Sequence, residues 1–425
     1  MLLSVGSRSD PTSGGGAAIP SQCFMSLPGD LFRRVWPNAA IALVALLLFH
    51  LLSVSSGKVD ANQGRGWDGR AYAEMASVSL TEGNAITRAR PLIILPAAAL
   101  HRLGVDVVQA FLICNYVYAF VLALAICALL DLFAVPWAAK LTVVANVGLR
   151  VAVSKMYAFY PVQIDLGALA VITWTFYLST AGRHGAAACC GVLAATSREF
   201  GIAALLYGVV TAWRSGGRGW RSAALYVPAF VVFAAVRMWA VSAGPPKDEA
   251  YVTVASALAN LQLWQQPLFI LMFAYFLLTL FGGLTMLLAA RPVWLVRQLI
   301  TRFELLVFLA PVVAAAVAGN IDIWRYLAFA LPAAIALLGR YIQSMDLAQL
   351  RPTMILMTLV TVVTQRPFEQ MNSDTYFRDW FPLYTRRDGL DAVWSYRILA
   401  TLLFLGALAI LTTRLPRRTA SEMVE

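Results

Sequence analysis

Long apolar stretches separated by short polar loops run through most of the chain. The first stretch, Trp36 to Ser56, is close to the ~20 residues that a helix needs to cross a bilayer. Comparable stretches follow at residues 106–130, 136–154, 161–180, 222–241, 266–290, 303–318, 323–341, 352–364 and 392–413. The pattern predicts an all-α polytopic membrane protein.

Two further stretches are apolar but too short for an ordinary crossing. Pro91 to Leu103 predicts a juxtamembrane or re-entrant helix. Residues 185–213 carry basic residues at both ends, so they predict two short helices whose tip is the segment Thr196 to Glu199. Counting this pair, we expect about 12 transmembrane helices, some of them short or re-entrant.

Composition and charge agree with a membrane protein. The chain of 425 residues is 60% hydrophobic and 13% charged, whereas a soluble domain carries roughly a quarter charged residues. The net charge of +11 comes from Lys and Arg in short loops between apolar spans. That arrangement is typical of cytoplasmic loops, so it indicates no nucleic-acid partner and places both termini in the cytoplasm. The cysteines and histidines lack metal-type spacing, so we expect no metal site.

The apolar spans define one domain between two tails. Residues 1–35 are rich in Ser, Gly and Pro and predict a disordered cytoplasmic tail. Residues 36–413 form a single transmembrane domain, and residues 414–425 form a second cytoplasmic tail. The loops expected on the outer side include two with many charges, the first outer loop at 57–90 and the last outer loop at 365–391.

The first outer loop contains a helical pattern of its own. Tyr72, Met75, Ala76 and Leu80 recur at helical spacing and predict a helix over residues 70–82. Such a helix is expected to lie in the membrane interface and to close a cavity from above.

The same loop holds the leading candidate for chemistry. Asp68 lies on a bend between Gly66 and Gly69, where glycines let the backbone turn tightly. An ionised carboxylate there is suited to accept a proton from an attacking sugar hydroxyl. Asp60 is the alternative base, and the residue pattern does not decide between the two. The competing interpretation of Asp68 is a helix cap, a position that Asp favours.

Residues suited to substrate binding gather on the predicted outer side. Arg198 and Glu199 stand out because ionisable groups at membrane depth cost about 2.5–3.5 kcal/mol each and usually face a cavity or each other. A structural ion pair, an interfacial anchor or a solvated loop is the competing interpretation at each position. The predicted substrate-binding residues are Arg70, Tyr72, Arg88, Arg90, Lys155, Arg198, Glu199, Asp322, Arg325 and Tyr326.

No P-loop, dinucleotide glycine motif or aspartate-rich nucleotide-sugar motif occurs on the cytoplasmic side. A sugar donor available outside the membrane, where nucleotides are scarce, is therefore expected to be lipid-linked. Membrane lipids are the other expected partners of such a site.

Four short motifs, in this order along the chain, resemble the integral-membrane glycosyltransferases of the GT-C type. Trp67-Asp68-Gly69-Arg70-Ala71-Tyr72 is similar to the aromatic-Asp-Gly-x-x-Tyr run of bacterial members involved in cell-surface glycopolymers. Arg88-Ala89-Arg90-Pro91-Leu92 resembles the stretch that follows it in those proteins. Ser197-Arg198-Glu199 resembles a mid-chain Arg-Glu pair, and Trp324-Arg325-Tyr326 resembles an Arg-Tyr at a late outer helix end. Unlike some members, the chain has no second carboxylate beside Asp68 and no large carboxy-terminal outer domain.

The resemblance implies an inverting hexosyl- or pentosyltransferase in the plasma (inner) membrane with its active site on the outer side. It would move a sugar from a polyprenyl-phosphate carrier to a glycan or glycolipid acceptor, with Asp68 as base and no cofactor or metal required. A transporter or flippase of lipid-linked sugars is one alternative, in which Asp68 would be replaceable. A surface polysaccharide polymerase or ligase is another, and its key groups would lie in large middle or late loops, such as the last outer loop, instead of just after the first helix.

Overall fold

The computed structural model describes residues 28–216, 219–243, 261–262, 264–265, 270, 280–318, 323–373 and 390–414. These residues form helices joined by turns, and there is no strand among them. The all-α prediction is therefore confirmed. Asp322, most of the last outer loop and both chain ends lie outside the described residues.

The amino-terminal half contributes twelve helices and one π-helical turn to the described part of the chain. Their bounds are α1 Pro28–Ser55, α2 Gly69–Ser77, α3 Ala85–Arg88, α4 Pro91–Arg102, α5 Val107–Asp131, α6 Trp137–Gly148, the π-helix Val151–Lys155, α7 Met156–Phe159, α8 Asp165–Thr180, α9 His184–Ser197, α10 Gly201–Arg214, α11 Gly219–Ala224 and α12 Val227–Ser242.

The carboxy-terminal half adds a further set of described helices. They are α13 Gly283–Ala289, α14 Pro292–Thr301, α15 Phe303–Ala318, α16 Ile323–Ala328, α17 Leu331–Gln343, α18 Leu347–Gln365 and α19 Leu390–Arg414. The bounds of α15 are those of the predicted span at 303–318.

Helices long and apolar enough to cross a membrane make this chain a helical membrane protein. Among the described residues four segments qualify, namely Trp36–Ser55, Val107–Asp131, Gly219–Ser242 and Leu347–Gln365. The α14–α15 pair qualifies as a fifth if its two helices, which bend by 103° relative to each other, are one broken span. The expected total of about 12 crossings stays a prediction.

Two of the expected continuous spans are broken at positions that affect the candidate site. The span at 323–341 divides into α16 and α17, because Pro332 has no backbone N–H to continue the helical hydrogen bonds. The span at 136–154 divides after Gly148, where α6 ends and the π-helix begins two residues later. Both breaks matter for the site, since Arg325 lies on α16 and Lys155 ends the π-helix.

Two expected helix boundaries also shift. The helix expected over 70–82 ends at Ser77, so Leu80 is not part of it. Local hydrogen bonds of the Ser77 hydroxyl to the Ala73 carbonyl (2.8 Å) and between the Ser79 and Thr81 hydroxyls (2.9 Å) compete with continuation. At the other boundary, α1 begins at residue 28, so residues 28–35 extend the first helix into the segment predicted as a tail.

A continuous apolar core connects the helices that carry the site. The helix α5 packs against α1, α4 and α8, and α8 in turn packs against α9 and α10. As predicted for residues 185–213, α9 and α10 form a pair of short helices, and Arg198 and Glu199 lie in the turn between them. The fold therefore brings the first outer loop, the start of α8 and the α9–α10 turn close together.

Candidate active site

Asp68 occupies the residue before α2, yet its side chain makes no capping hydrogen bond. Its carboxylate is 58% exposed, and one oxygen lies 3.3 Å from Nη1 of Arg325. The cap interpretation therefore does not account for this residue. The geometry instead leaves a carboxylate open to solvent on one side and paired with a buried arginine on the other.

Tyr160 fixes the bend on which Asp68 lies. Its buried hydroxyl accepts a hydrogen bond from the Gly69 N–H at 2.5 Å, and its ring makes an edge contact with Trp67 at 5.8 Å between centroids. Gly66 has φ of +68°, and a Cβ there would lie 2.2 Å from the Tyr160 ring. Only glycine both adopts this positive φ without strain and leaves room for the Tyr160 ring.

The substitution Gly66→Ala tests this packing. We expect the free energy of unfolding to fall by about 1–3 kcal/mol from the clash with Tyr160, in addition to backbone strain. The matched control is Gly104→Ala, since Gly104 also has positive φ (+94°) but open space where a Cβ would lie. Thermal unfolding of the purified variants measures the difference. Equal losses in the two variants would contradict the Tyr160 contact.

Arg325 leads from Asp68 to a buried carboxylate at the start of α8. Asp165 is 2% exposed, and its Oδ2 lies 2.9 Å from Nε and 2.8 Å from Nη2 of Arg325. Its Oδ1 lies 2.9 Å from Nε of Arg198, on the α9–α10 turn. Gln163 adds a hydrogen bond, since its Oε1 accepts from Arg325 Nη2 at 2.8 Å. Asp165 therefore bridges two arginines that are distant in sequence.

Glu199 is the centre of a second group of ionic contacts, which shares Arg198 with the contacts of Asp165. Arg90 donates to both of its oxygens, with Nη2–Oε1 at 2.5 Å and Nε–Oε2 at 3.2 Å, and also donates to the Tyr72 hydroxyl. Arg198 Nη1 and Arg237 Nη2 lie 3.8 Å and 3.5 Å from Glu199 oxygens. Burial raises the pKa of Glu199, but the Arg90 and Arg198 guanidinium groups outweigh it and hold the pKa well below its usual value.

These contacts form one network of four arginines and three carboxylates among the described residues. Its members are Arg90, Arg198, Arg237, Arg325, Asp68, Asp165 and Glu199, and we call it the arginine network. It carries one more positive than negative charge. Buried guanidinium groups need paired acids, and a surplus cation at a partly exposed edge favours an anionic ligand. Asp68 and Glu199, at 58% and 39% exposure, are its open ends.

Asp165, Gln163 and Arg237 were not among the residues that the sequence pattern singled out. All three lie inside stretches expected to be apolar spans, at 161–180 and 222–241. The available signal was the presence of a carboxylate and a guanidinium within such stretches, where ionisable groups are costly and mark functional or paired positions.

Arg70 and Arg88, both expected to bind substrate, lie outside the arginine network. Arg70 is exposed and pairs with Glu74 one helical turn away, at 2.8 Å. Arg88 is buried, and its guanidinium donates to backbone carbonyls of Gly83 (2.7 Å) and Ala240 (2.8 Å). The contacts of Arg88 tie the end of α12 to the first outer loop, and its expected binding of substrate stays a prediction.

Three other residues predicted to act in the site, Asp60, Lys155 and Tyr326, make contacts with residues outside the arginine network. The Asp60 N–H donates to the Ser373 hydroxyl at 3.1 Å, and a separate hydrogen bond from Ser373 to the exposed Asp60 carboxylate lowers the pKa of that carboxylate. Burial lowers the pKa of Lys155 to about 7, and its ammonium donates to the Arg366 carbonyl at 2.7 Å. Tyr326 packs against the Phe200 ring at 5.4 Å between centroids.

No group of three or more His, Cys, Asp or Glu side chains suited to a metal occurs within the described ranges. Comparison with protein-family models, with curated proteins and with solved structures finds no match to this chain. The functional interpretation therefore depends on the residues and their contacts.

Proposed function

We propose that this chain is an inverting glycosyltransferase of the GT-C type. It moves a hexose or pentose from a polyprenyl-phosphate carrier to a glycan or glycolipid acceptor, at the outer face of the plasma membrane, within a fold of about 12 crossings. The observation that carries the proposal is the position of Asp68, an open carboxylate at the edge of a buried network with surplus positive charge.

The exposed Asp68 and the buried arginines match the two requirements of the reaction, which are a base and positive charge for the leaving phosphate. A base must be exposed to the acceptor hydroxyl, and Asp68 is the exposed end of the arginine network. A phosphate leaving group needs fixed positive charge in a poorly solvated site, which buried arginines supply. The π-helix that ends at Lys155 packs against α16, the helix that carries Arg325, and the Lys155 ammonium donates to the Arg366 carbonyl.

The reaction follows from these roles in one step. The Asp68 carboxylate takes the proton of the acceptor hydroxyl while that oxygen forms a bond to the anomeric carbon. The bond from the anomeric carbon to the phosphate oxygen breaks at the same time, and the phosphate leaves with the electron pair. Attack opposite the leaving group inverts the anomeric configuration. The arginine network stabilises the charge that develops on the phosphate.

The four motifs described above support the proposed family because residues from all of them lie close together in space. Asp68, Arg90, Arg198 and Arg325 come from four separate motifs of the chain, and all four meet in the arginine network. A transporter that only held a phosphate would need the arginines, but it would not need an exposed carboxylate in contact with them.

Sugar transfer by the purified full chain tests the proposal. In proteoliposomes given synthetic polyprenyl-phosphate sugars and an envelope-glycan acceptor, we expect transfer of label with inversion at the anomeric carbon, and an unchanged rate when a chelator is added. Movement of the intact donor between leaflets without transfer, across a panel of hexose and pentose donors, would contradict the proposal and favour a flippase. Retention of configuration would contradict the single displacement.

A further inference from the structure

The bend between α14 and α15 lies at the opposite end of the α9–α10 hairpin from the arginine network. Arg214, the last residue of α10, pairs with Glu304 in the first turn of α15 at 2.5 Å. The α9–α10 turn carries Arg198 and Glu199, so the start of α9 and the end of α10 lie at the other end of this helix pair. We call residues 291–304 the elbow.

The helix α14 has apolar side chains on two sides. Trp294, Leu295 and Leu299 pack against the protein core. Val293 and Ile300 lie on the other side and are 79% and 68% exposed. A helix that is apolar both toward the protein and away from it is suited to lie between the protein and lipid.

The direction of α14 fits a position in the membrane interface. It bends by 103° from α15, which is itself apolar along its length. If α15 runs across the bilayer, α14 then lies close to the plane of the membrane. At that depth its exposed apolar edge contacts acyl chains and its polar positions contact headgroups.

Arginines surround the elbow, and among the described residues they have little acidic compensation. Arg214 and Arg302 are 53% and 42% exposed, and both pair with the single buried carboxylate of Glu304. Arg340 on α17 interacts electrostatically with both Arg302 and Glu304. Arg297 is exposed on α14 itself. Three guanidinium groups thus interact with one acid, and the exposed Arg297 adds a fourth positive charge at the place where headgroups would lie.

We infer that the elbow binds the headgroup of an anionic phospholipid, with the exposed edge of α14 among the acyl chains. A phosphate with a net negative charge supplies the missing counter-charge, and each basic residue near an anionic membrane surface contributes on the order of 1 kcal/mol. Zwitterionic headgroups carry no net charge and are bound less well. This interaction is independent of the reaction at Asp68.

Lipid counting on the full chain tests the inference. The chain, purified in neutral detergent, is titrated with phosphatidylglycerol or with phosphatidylcholine of the same acyl chains, and bound lipid is counted by native mass spectrometry. We expect preferential binding of phosphatidylglycerol, weakened about 30-fold by the double substitution Arg297→Gln and Arg302→Gln. The matched control is Arg183→Gln, an exposed arginine in the turn after α8, which should leave binding unchanged.

If the double variant does not fold, Arg297→Gln alone is expected to weaken binding about 5-fold, because this exposed side chain lies on the surface of α14. Equal retention of the two lipids by the native chain would overturn the inference. So would equal losses in the elbow variant and in Arg183→Gln, since the effect would then be one of overall charge.

Discussion

Replacing Asp165 by Asn is expected to lower the free energy of unfolding by about 3 kcal/mol or more. This carboxylate is 2% exposed and lies within 2.9 Å of both Arg198 and Arg325. Asparagine keeps the size of the side chain but removes its charge, so two buried guanidinium groups lose their shared counter-charge. Breaking a buried ion pair from one side typically costs 3–5 kcal/mol, because an uncompensated charge is left behind.

Thermal unfolding in detergent measures this loss against the matched control Glu74→Gln. Glu74 also pairs with a cation, Arg70, at 2.8 Å, but both side chains are solvent-accessible, at 30% and 66% exposure, so its removal should cost about 1 kcal/mol or less. Adding Arg198→Gln to Asp165→Asn should recover part of the loss, because the added change removes one of the stranded charges. An Asp165→Asn variant as stable as the Glu74→Gln control would contradict the buried bridge.

The sequence was most informative where ionisable groups interrupt apolar stretches. Arg198 and Glu199 were expected at the turn of a short helix pair, and the structure places them there. The apolar stretch at 303–318 likewise matches α15. These features depend on local pattern alone, so they were accessible without knowledge of long-range contacts.

Long-range pairing was not accessible in the same way. Asp165 and Arg237 looked like isolated charges within apolar stretches, and nothing local indicates that they meet Arg198 and Glu199. The contacts of Arg88 and Lys155 were not predictable either, and their expected binding of substrate stays a prediction. Each is a cation near the predicted interface, yet each hydrogen-bonds to a backbone carbonyl, a contact that leaves no mark in the sequence.

Replacing Asp68 by Asn is expected to reduce sugar transfer by about 10²-fold or more, with the fold intact. Asparagine keeps the size and hydrogen-bonding capacity of the side chain but accepts no proton from the attacking hydroxyl. The carboxylate is 58% exposed and makes no cap, so its loss should disturb the structure little. Binding of the lipid-linked donor should persist, because the arginine network keeps its buried members.

Asp60→Asn is the matched control within the same loop. Asp60 is likewise an exposed carboxylate near a turn, but it contacts Ser373 instead of the arginine network. We expect this variant to transfer sugar at nearly the native rate. The pair therefore separates a base at Asp68 from a general effect of removing negative charge from the first outer loop.

Sugar transfer and donor binding, measured together for the native chain, Asp68→Asn and Asp60→Asn, test the identity of the base most directly. Loss of transfer by Asp68→Asn alone, with donor binding retained in all three proteins, is the result that the proposed reaction predicts. Native-like transfer by Asp68→Asn, whether or not Asp60→Asn is impaired, would contradict the assignment of Asp68 as the base.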